Sequence, residues 1–370
     1  MAANRRRRKK RGGDPRTKAI LVAILILVAI FAGVFIYFGA DRENTSLEES
    51  GSQAADADPA SSGPVNPLTG EPGFDAQKLR TRPIAIMINN APAARPQWGL
   101  CSPDIVFEGL VEGGSTRMMW VYADVNDIPK VGSVRSARHD FVELAEGMDA
   151  QFVHWGGSDL AYDAMRARSV DDIDGLSHEG RYFFRDSSRN VATEHRGYTT
   201  GEDIEKAIRE LDRRTELKSD YADLFEFSDP DSPRALPDGS CQSVSFDFSS
   251  VSAYSHTFNY DPQEGLYYNR IGGAPMCEDG GEQMAVTNIL LLYCTVNNTG
   301  DSAGHMEMRL TSGSGLYISN GTYERIEWEK GDPDDPLKLK AADGTLLILN
   351  AGKSYIGLVP TSKEGSVAIS

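Results

Sequence analysis

The residues best suited to chemistry fall between positions 108 and 198. Glu108 and Glu112 stand four apart, a spacing that puts two carboxylates on one helical face, where either can act as general base. Arg117, Arg135 and Arg138 follow, with His139 and Asp140 beside the last. Planar guanidinium groups grip phosphate or carboxylate in a two-pronged geometry that lysine cannot match. His154 ends an apolar run, and Gly156-Gly157-Ser158 then leads into a helix start, where backbone N–H groups and the helix dipole favour an anion. A second polar set, Arg185, Asp186, Arg189, His195 and Tyr198, lies on a stretch without periodicity, and loops held by a rigid frame often carry function.

The expected chemistry is therefore capture of an anionic group. Glu108, Glu112, His154 and His195 are the candidate acid–base residues. Arg117, Arg135, Arg138, Gly156, Gly157, Ser158, Arg185, Asp186 and Tyr198 are the candidate ligand contacts. The competing reading is structural: the same arginines and glutamates pair with each other and tie helix to strand.

Other chemistries lack their signatures. The sequence holds no His-Glu-x-x-His, Cys-x-x-Cys, Gly-x-Ser-x-Gly, phosphate loop or dinucleotide fingerprint, so no metal and no cofactor is expected. The acidic runs 171–175 and 332–336 lack the spaced oxygen ligands and terminal glutamate of a calcium loop and read as turns. Cys101, Cys241, Cys277 and Cys294 permit disulfides in an oxidising compartment, with three full pairings open; Cys294, inside an apolar run, equally suits a buried thiol.

The elements that must position these residues can be read in order. Residues 83–90 and 116–123 are short apolar runs that predict buried strands, and 151–155 gives a third. Ser102-Pro103-Asp104 has the composition of a helix start and predicts a helix to Glu112, stopped by Gly113-Gly114. Further helices are expected over 137–147, from 159 to about 168, and over 203–216. Strands alternating with helices predict an α/β layered domain over 66–227. The Pro-rich segment 228–240 separates it from a stretch, 241–362, where apolar residues recur with period two between Gly, Asp and Pro turns. That half is expected to be a β-rich domain, a small barrel or sandwich, making the whole α+β.

The N-terminus sets the compartment. Residues 1–18 carry nine cations and one acid, so a chain of net charge −16 has an acidic remainder of −24. Residues 19–40 open with an uncharged apolar run to Tyr37, about the length that crosses a bilayer as a helix. It exceeds the roughly 7–15 residues of a signal-peptide core. Cations before it and acids after it place the N-terminus in the cytoplasm and the bulk of the chain outside the cell membrane, as a single-pass protein. Residues 41–65, rich in Ser, Ala, Asp and Glu with no aromatic, are expected to be a disordered spacer. So acidic a remainder argues against nucleic acid as a partner.

Several motifs together resemble the YerB-like bacterial lipoproteins (DUF3048). In the first half these are Asn66-Pro67-Leu68-Thr69-Gly70, Arg82-Pro83-Ile84-Ala85, Ala94-Arg95-Pro96-Gln97, Glu112-Gly113-Gly114, Val134-Arg135-Ser136-Ala137-Arg138 and Gly156-Gly157-Ser158. Arg185-Asp186, Arg189, His195, Gly313-Ser314-Gly315 and Val359-Pro360 continue the match. The resemblance implies a two-domain envelope protein and supplies no reaction. It also implies a lipidated cysteine at the membrane, which the apolar run replaces here. An asparagine expected after the family's histidine is Arg196, and a histidine expected after Asn90 is Ala91.

These readings converge on a membrane-anchored extracytoplasmic envelope protein that binds an anionic cell-wall polymer or peptide in its N-terminal half. A cell-wall transferase or hydrolase built on Glu108, Glu112 and the arginines is the enzymatic alternative. An interaction platform on the β-rich half is a third.

Overall fold

The computed structural model describes residues 63–221 and 223–370, all within one compact unit. The basic tail, the apolar run and nearly all of the spacer lie outside the described residues. Among the described residues no helix is long and apolar enough to cross a membrane.

An eleven-stranded mixed sheet runs through the molecule. Its strands are β1 (Ile84–Asn89), β2 (Ile105–Leu110), β3 (Thr116–Tyr122), β4 (Gln151–His154), β5 (Asp172–Asp174), β6 (Gly239–Ser240), β7 (Asn288–Cys294), β8 (Ser312–Ser319), β9 (Thr322–Glu329), β10 (Lys338–Ala341) and β11 (Ser354–Pro360). They lie in the order β6-β9-β8-β7-β11-β2-β3-β1-β4-β5, with β10 paired to β9. The two halves of the sequence meet inside this sheet, where β11 pairs in parallel with β2, Val106 opposite Tyr355. The second half is β-rich as its period predicts. Its strands do not close into a barrel or sandwich of their own, because β7, β8, β9 and β11 extend the sheet of the first half. Six further strands, including Ser243–Phe246, His256–Asp261 and Leu266–Ile271, form a separate six-stranded sheet. The fold is mixed α+β, rich in sheet and poor in helix.

Strand alternation divides the core. One face of β1 to β3 carries Ala85, Met87, Phe107, Met119 and Val121, packed with helices α1 (His139–Gly147) and α2 (Asp159–Arg168) through Phe141, Val142, Leu144 and Ala161. The other carries Ile86, Ile88, Val106, Met118 and Trp120, packed with Phe246, Phe258 and Tyr267 of the six-stranded sheet. It also meets Ile204 and Ala207 of a further helix over Gly201–Glu210. Coverage on both faces explains why β1 and β3 read as continuous apolar runs instead of alternating ones.

Two expectations are corrected. The helix predicted over 102–112 is strand β2. Its start residues are spent on a turn: Ser102 Oγ donates to the Gly99 carbonyl, and Asp104 accepts from the Ala123 N–H at 2.7 Å. Ile105-Val106-Phe107 suits a pleated, two-sided burial between β3 and β11, and tertiary pairing overrides the capping signal. The helix predicted over 203–216 ends at Glu210, because Arg213 and Arg214 turn back to Asp171, Asp172 and Asp149, and the Thr215 carbonyl accepts from the Arg82 N–H. The Pro-rich segment is tied down: Ser228 N–H donates to the Leu349 carbonyl, Arg234 N–H to Asn350 Oδ1, and Leu236 is buried.

Candidate anion-binding site

Asn89, the last residue of β1, lies directly opposite Arg117 on β3, and alternation puts both side chains on the helical face. Beyond β1 the chain from Ser133 to Ala137 is spliced between the ends of β1 and β4. Asn89 N–H donates to the Ser133 carbonyl, Arg135 N–H to that of Met87, and Trp155 N–H to that of Arg135. This carries Arg135 and the Ser136 carbonyl to the edge where Asn89 and Arg117 end, and leads straight into α1.

Three guanidinium groups meet there. Arg138 is the N-cap of α1 and gives that helix no side-chain cap. Its guanidinium instead holds Glu112 in two prongs, Nε to Oε1 at 2.6 Å and Nη2 to Oε2 at 2.8 Å. Burial raises the Glu112 carboxyl, but these bonds and the Arg138 charge outweigh it and hold it below the usual range. Arg117 is only 7% exposed, yet its sole hydrogen bond among the described residues runs from Nη1 to the Ser136 carbonyl at 2.7 Å, and its Nε is buried without a partner. Burial first, then the charges of Arg138 and Arg135, push it down to about 9. Arg135 is half-buried, is lowered by burial, and faces Glu194 on one side and Arg138 and Arg185 on another. Among the described residues neither Arg117 nor Arg135 forms an ion pair.

His195 joins this group through Asn89, whose Nδ2 donates to His195 Nδ1 at 2.9 Å. Asn89 is fixed in that orientation because its Oδ1 accepts from the Ala91 N–H at 3.0 Å. Burial and then Arg135 depress His195 against the pull of Glu194. The arrangement offers hydrogen-bond donors and positive charge at the end of a parallel strand and the start of a nine-residue helix. It can hold an anion.

The other expected residues lie elsewhere. Glu108 and Glu112 do not share a face: on a strand, Glu108 points to the opposite side, fully buried under the six-stranded sheet. There Asn90 Nδ2 donates to its Oε1 at 2.8 Å, Tyr355 to its Oε2 at 3.0 Å, and His256 Nε2 lies 3.2 Å from Oε2. His154 is buried, with Nδ1 2.8 Å from the Gly156 carbonyl and Nε2 3.2 Å from Asp172 Oδ2. The helix start after Gly156-Gly157 is already served from within: Gly156 N–H donates to Asp174 Oδ1, and Ser158 Oγ caps α2 at Ala161 N–H. Arg185 reaches Glu179 and the Thr193 carbonyl and lies over the Trp155 ring, at the rim beside Arg135. Asp186 and Tyr198 belong to a separate cluster about Lys130, whose Nζ bonds Asp186 at 2.6 Å and sits 4.3 Å from the Tyr198 ring. The four cysteines are thiols.

Asn89 and Glu194 were not among the expected site residues, and Ser136 was named only within a motif, not for the carbonyl that Arg117 reaches. Asn89 had one signal, a polar residue closing an apolar strand.

The chain matches the family described as "Protein of unknown function (DUF3048) N-terminal domain" over residues 68–214, and its C-terminal counterpart over 244–356. It is 31% identical to "Putative lipoprotein YerB" of Bacillus subtilis (strain 168), over 82% of this chain and 88% of that one. The crystal structure of the YerB protein from Bacillus subtilis superposes with a TM-score of 0.71 at 27% identity, covering 83% of this chain and all of that one. The chain belongs to the DUF3048 family, as the motifs from Asn66 onward imply.

Proposed function

We propose that this protein is a membrane-anchored extracytoplasmic envelope protein that binds an anionic cell-wall polymer or peptide ligand at Arg117, Arg135 and Arg138. The observation that carries the reading is Arg117, a nearly buried cation with an unpartnered Nε beside two further arginines and one clamped carboxylate. Burying an uncompensated charge costs several kcal/mol by order of magnitude, and an arriving anion relieves that cost. The lipoprotein name of the Bacillus relative supports a place at the membrane. The enzymatic alternative rested on paired glutamates, and with Glu108 and Glu112 separated by the sheet nothing specific favours it.

Calorimetry tests the reading. Full-length protein in detergent, titrated with anionic wall fragments, is expected to bind with an affinity that falls as salt rises. Arg117→Met should abolish binding, and Arg325→Ala, on the far end of the sheet, should leave it intact. Equal binding by native and Arg117→Met protein overturns the assignment. Protease added to intact, wall-stripped cells should trim the bulk of the chain; protection would remove the extracytoplasmic role.

A further inference from the structure

The anion reading leaves open which oxyanion fits, and the orientation of one amide answers it. Asn89 accepts from Ala91 N–H through Oδ1 and so presents its NH2 to His195. His195 Nδ1 must then be the acceptor. The ring is held neutral, with its proton on Nε2, and Nε2 has no protein partner among the described residues. The other charged groups facing this ring are Glu194 beside it and Arg135 across from it. Of the two carboxylates near these donors, Glu112 is taken in both prongs by Arg138, and Glu194 lies beside His195 and Arg135, leaving Arg117 without one of its own.

Resting on the anion-binding reading above, we infer that the site selects a phosphoryl group, a phosphate mono- or diester, over a carboxylate, and that His195 is its specificity-determining residue, donating Nε2–H to a phosphoryl oxygen. A carboxylate offers two oxygens in a plane, which a single guanidinium fork satisfies. A phosphoryl group adds oxygens out of that plane, giving separate acceptors for Arg117, Arg135 and a neutral imidazole donor. The Asn89–His195 pair makes the donor permanent: the ring cannot present a bare Nε2 unless Asn89 turns and gives up its bond from Ala91.

The test uses the full chain in detergent and titrates glycerol 3-phosphate, inorganic phosphate and acetate. Glycerol 3-phosphate is expected to bind at least tenfold more tightly than acetate. His195→Phe should lose at least tenfold for the phosphate ester and little for acetate. His195→Gln, whose amide can donate from near the same place, should recover part of the loss. In Asn89→Asp the carboxylate accepts a hydrogen bond from Nδ1–H, which leaves Nε2 as an acceptor in the neutral ring. The ratio of this variant's phosphate affinity to that of the native protein should fall several-fold from pH 6.5 to 8.5, a comparison in which titration of the ligand and of Arg117 is common to both proteins. Nitrogen-15 NMR, with His195→Phe assigning the signal, should show the Nε2–H tautomer at pH 7.

Equal affinity for acetate and glycerol 3-phosphate, both lost in Arg117→Met, overturns the phosphoryl assignment and leaves the anion site standing. Absence of binding by any of the three anions removes both. An Nδ1–H tautomer overturns the role given to His195. A short poly(glycerol phosphate) and phosphatidylglycerol micelles, run as further arms, separate a wall polymer from a lipid headgroup as the source of the phosphoryl group.

Discussion

The Tyr355 hydroxyl donates to Glu108 Oε2 at 3.0 Å, joining residues 247 positions apart across the seam where β11 meets β2. The same carboxylate takes Asn90 from the neighbouring β1 and faces His256 from the six-stranded sheet. Every partner is buried, so the network is closed to solvent and binds the two halves of the sequence through one charge. Removing one partner from such a network leaves an uncompensated buried group and is strongly destabilising.

That charge carries a pH signature. Burial raises Glu108, but His256 and the surrounding donors more than offset it, so its folded value lies below the ordinary one. For a depressed acid the stabilisation is present above the unfolded value, about 4.3, and is lost as pH falls through the folded value. Glu108→Gln should therefore cost roughly 3–5 kcal/mol at pH 7 and less at pH 3, below the unfolded value. Guanidinium midpoints at the two pH values measure it; an equal loss at both would assign the stabilisation to packing instead of charge.

Asp140 behaves in the opposite sense. It is buried near the start of α1, its Oδ1 accepts from the Met308 N–H at 3.0 Å, and burial followed by Glu143 and Glu307 drives it well above the usual carboxylate range. A raised acid is stabilising when protonated and costs stability as pH climbs from the unfolded value, about 3.9, toward the folded one. Asn keeps an acceptor for Met308 without the charge. His139 Nε2 lies 3.3 Å from the same Oδ1 and does not offset the burial, so Asp140→Asn is expected to raise stability at pH 7 and to change little at pH 3. Thermal melts across that range check it.

The strands of the first half were legible because continuous apolar runs such as 84–88 need cover on both faces, and the sheet supplies it. β2 was not, because Ser102-Pro103-Asp104 satisfies the local rules for a helix start, while the partners that make it a strand, β3 and β11, come from later in the chain. Glu108 was misplaced for the same reason. His256 lies 148 residues away, and no spacing in the sequence ties the two. That Arg117, Arg135 and Arg138 gather in one place was legible, since all three border short turns on one strand edge. Asn89 was not, as its role depends on a histidine that a long loop returns to it.

Arg117 gives the sharpest test of whether an arginine here serves a ligand or the fold. A structural arginine in this molecule looks like Arg82, whose guanidinium reaches Asp171 at 2.6 Å and the carbonyls of Asp149 and Ala150. Arg117 is as deeply buried and has one carbonyl. Replacing a buried, uncompensated charge by an apolar side chain of similar length removes a desolvation cost, so Arg117→Met should leave the ligand-free protein as stable as the native or up to about 4 kcal/mol more stable. Arg82→Met strands two buried carbonyls and takes one of its two arginines from Asp171, which keeps Arg213, and should destabilise by roughly 3–5 kcal/mol. Urea midpoints of the two variants measure the contrast. Were Arg117→Met to lose as much stability as Arg82→Met, the cation would be holding the fold together, and its claim on a ligand would fail.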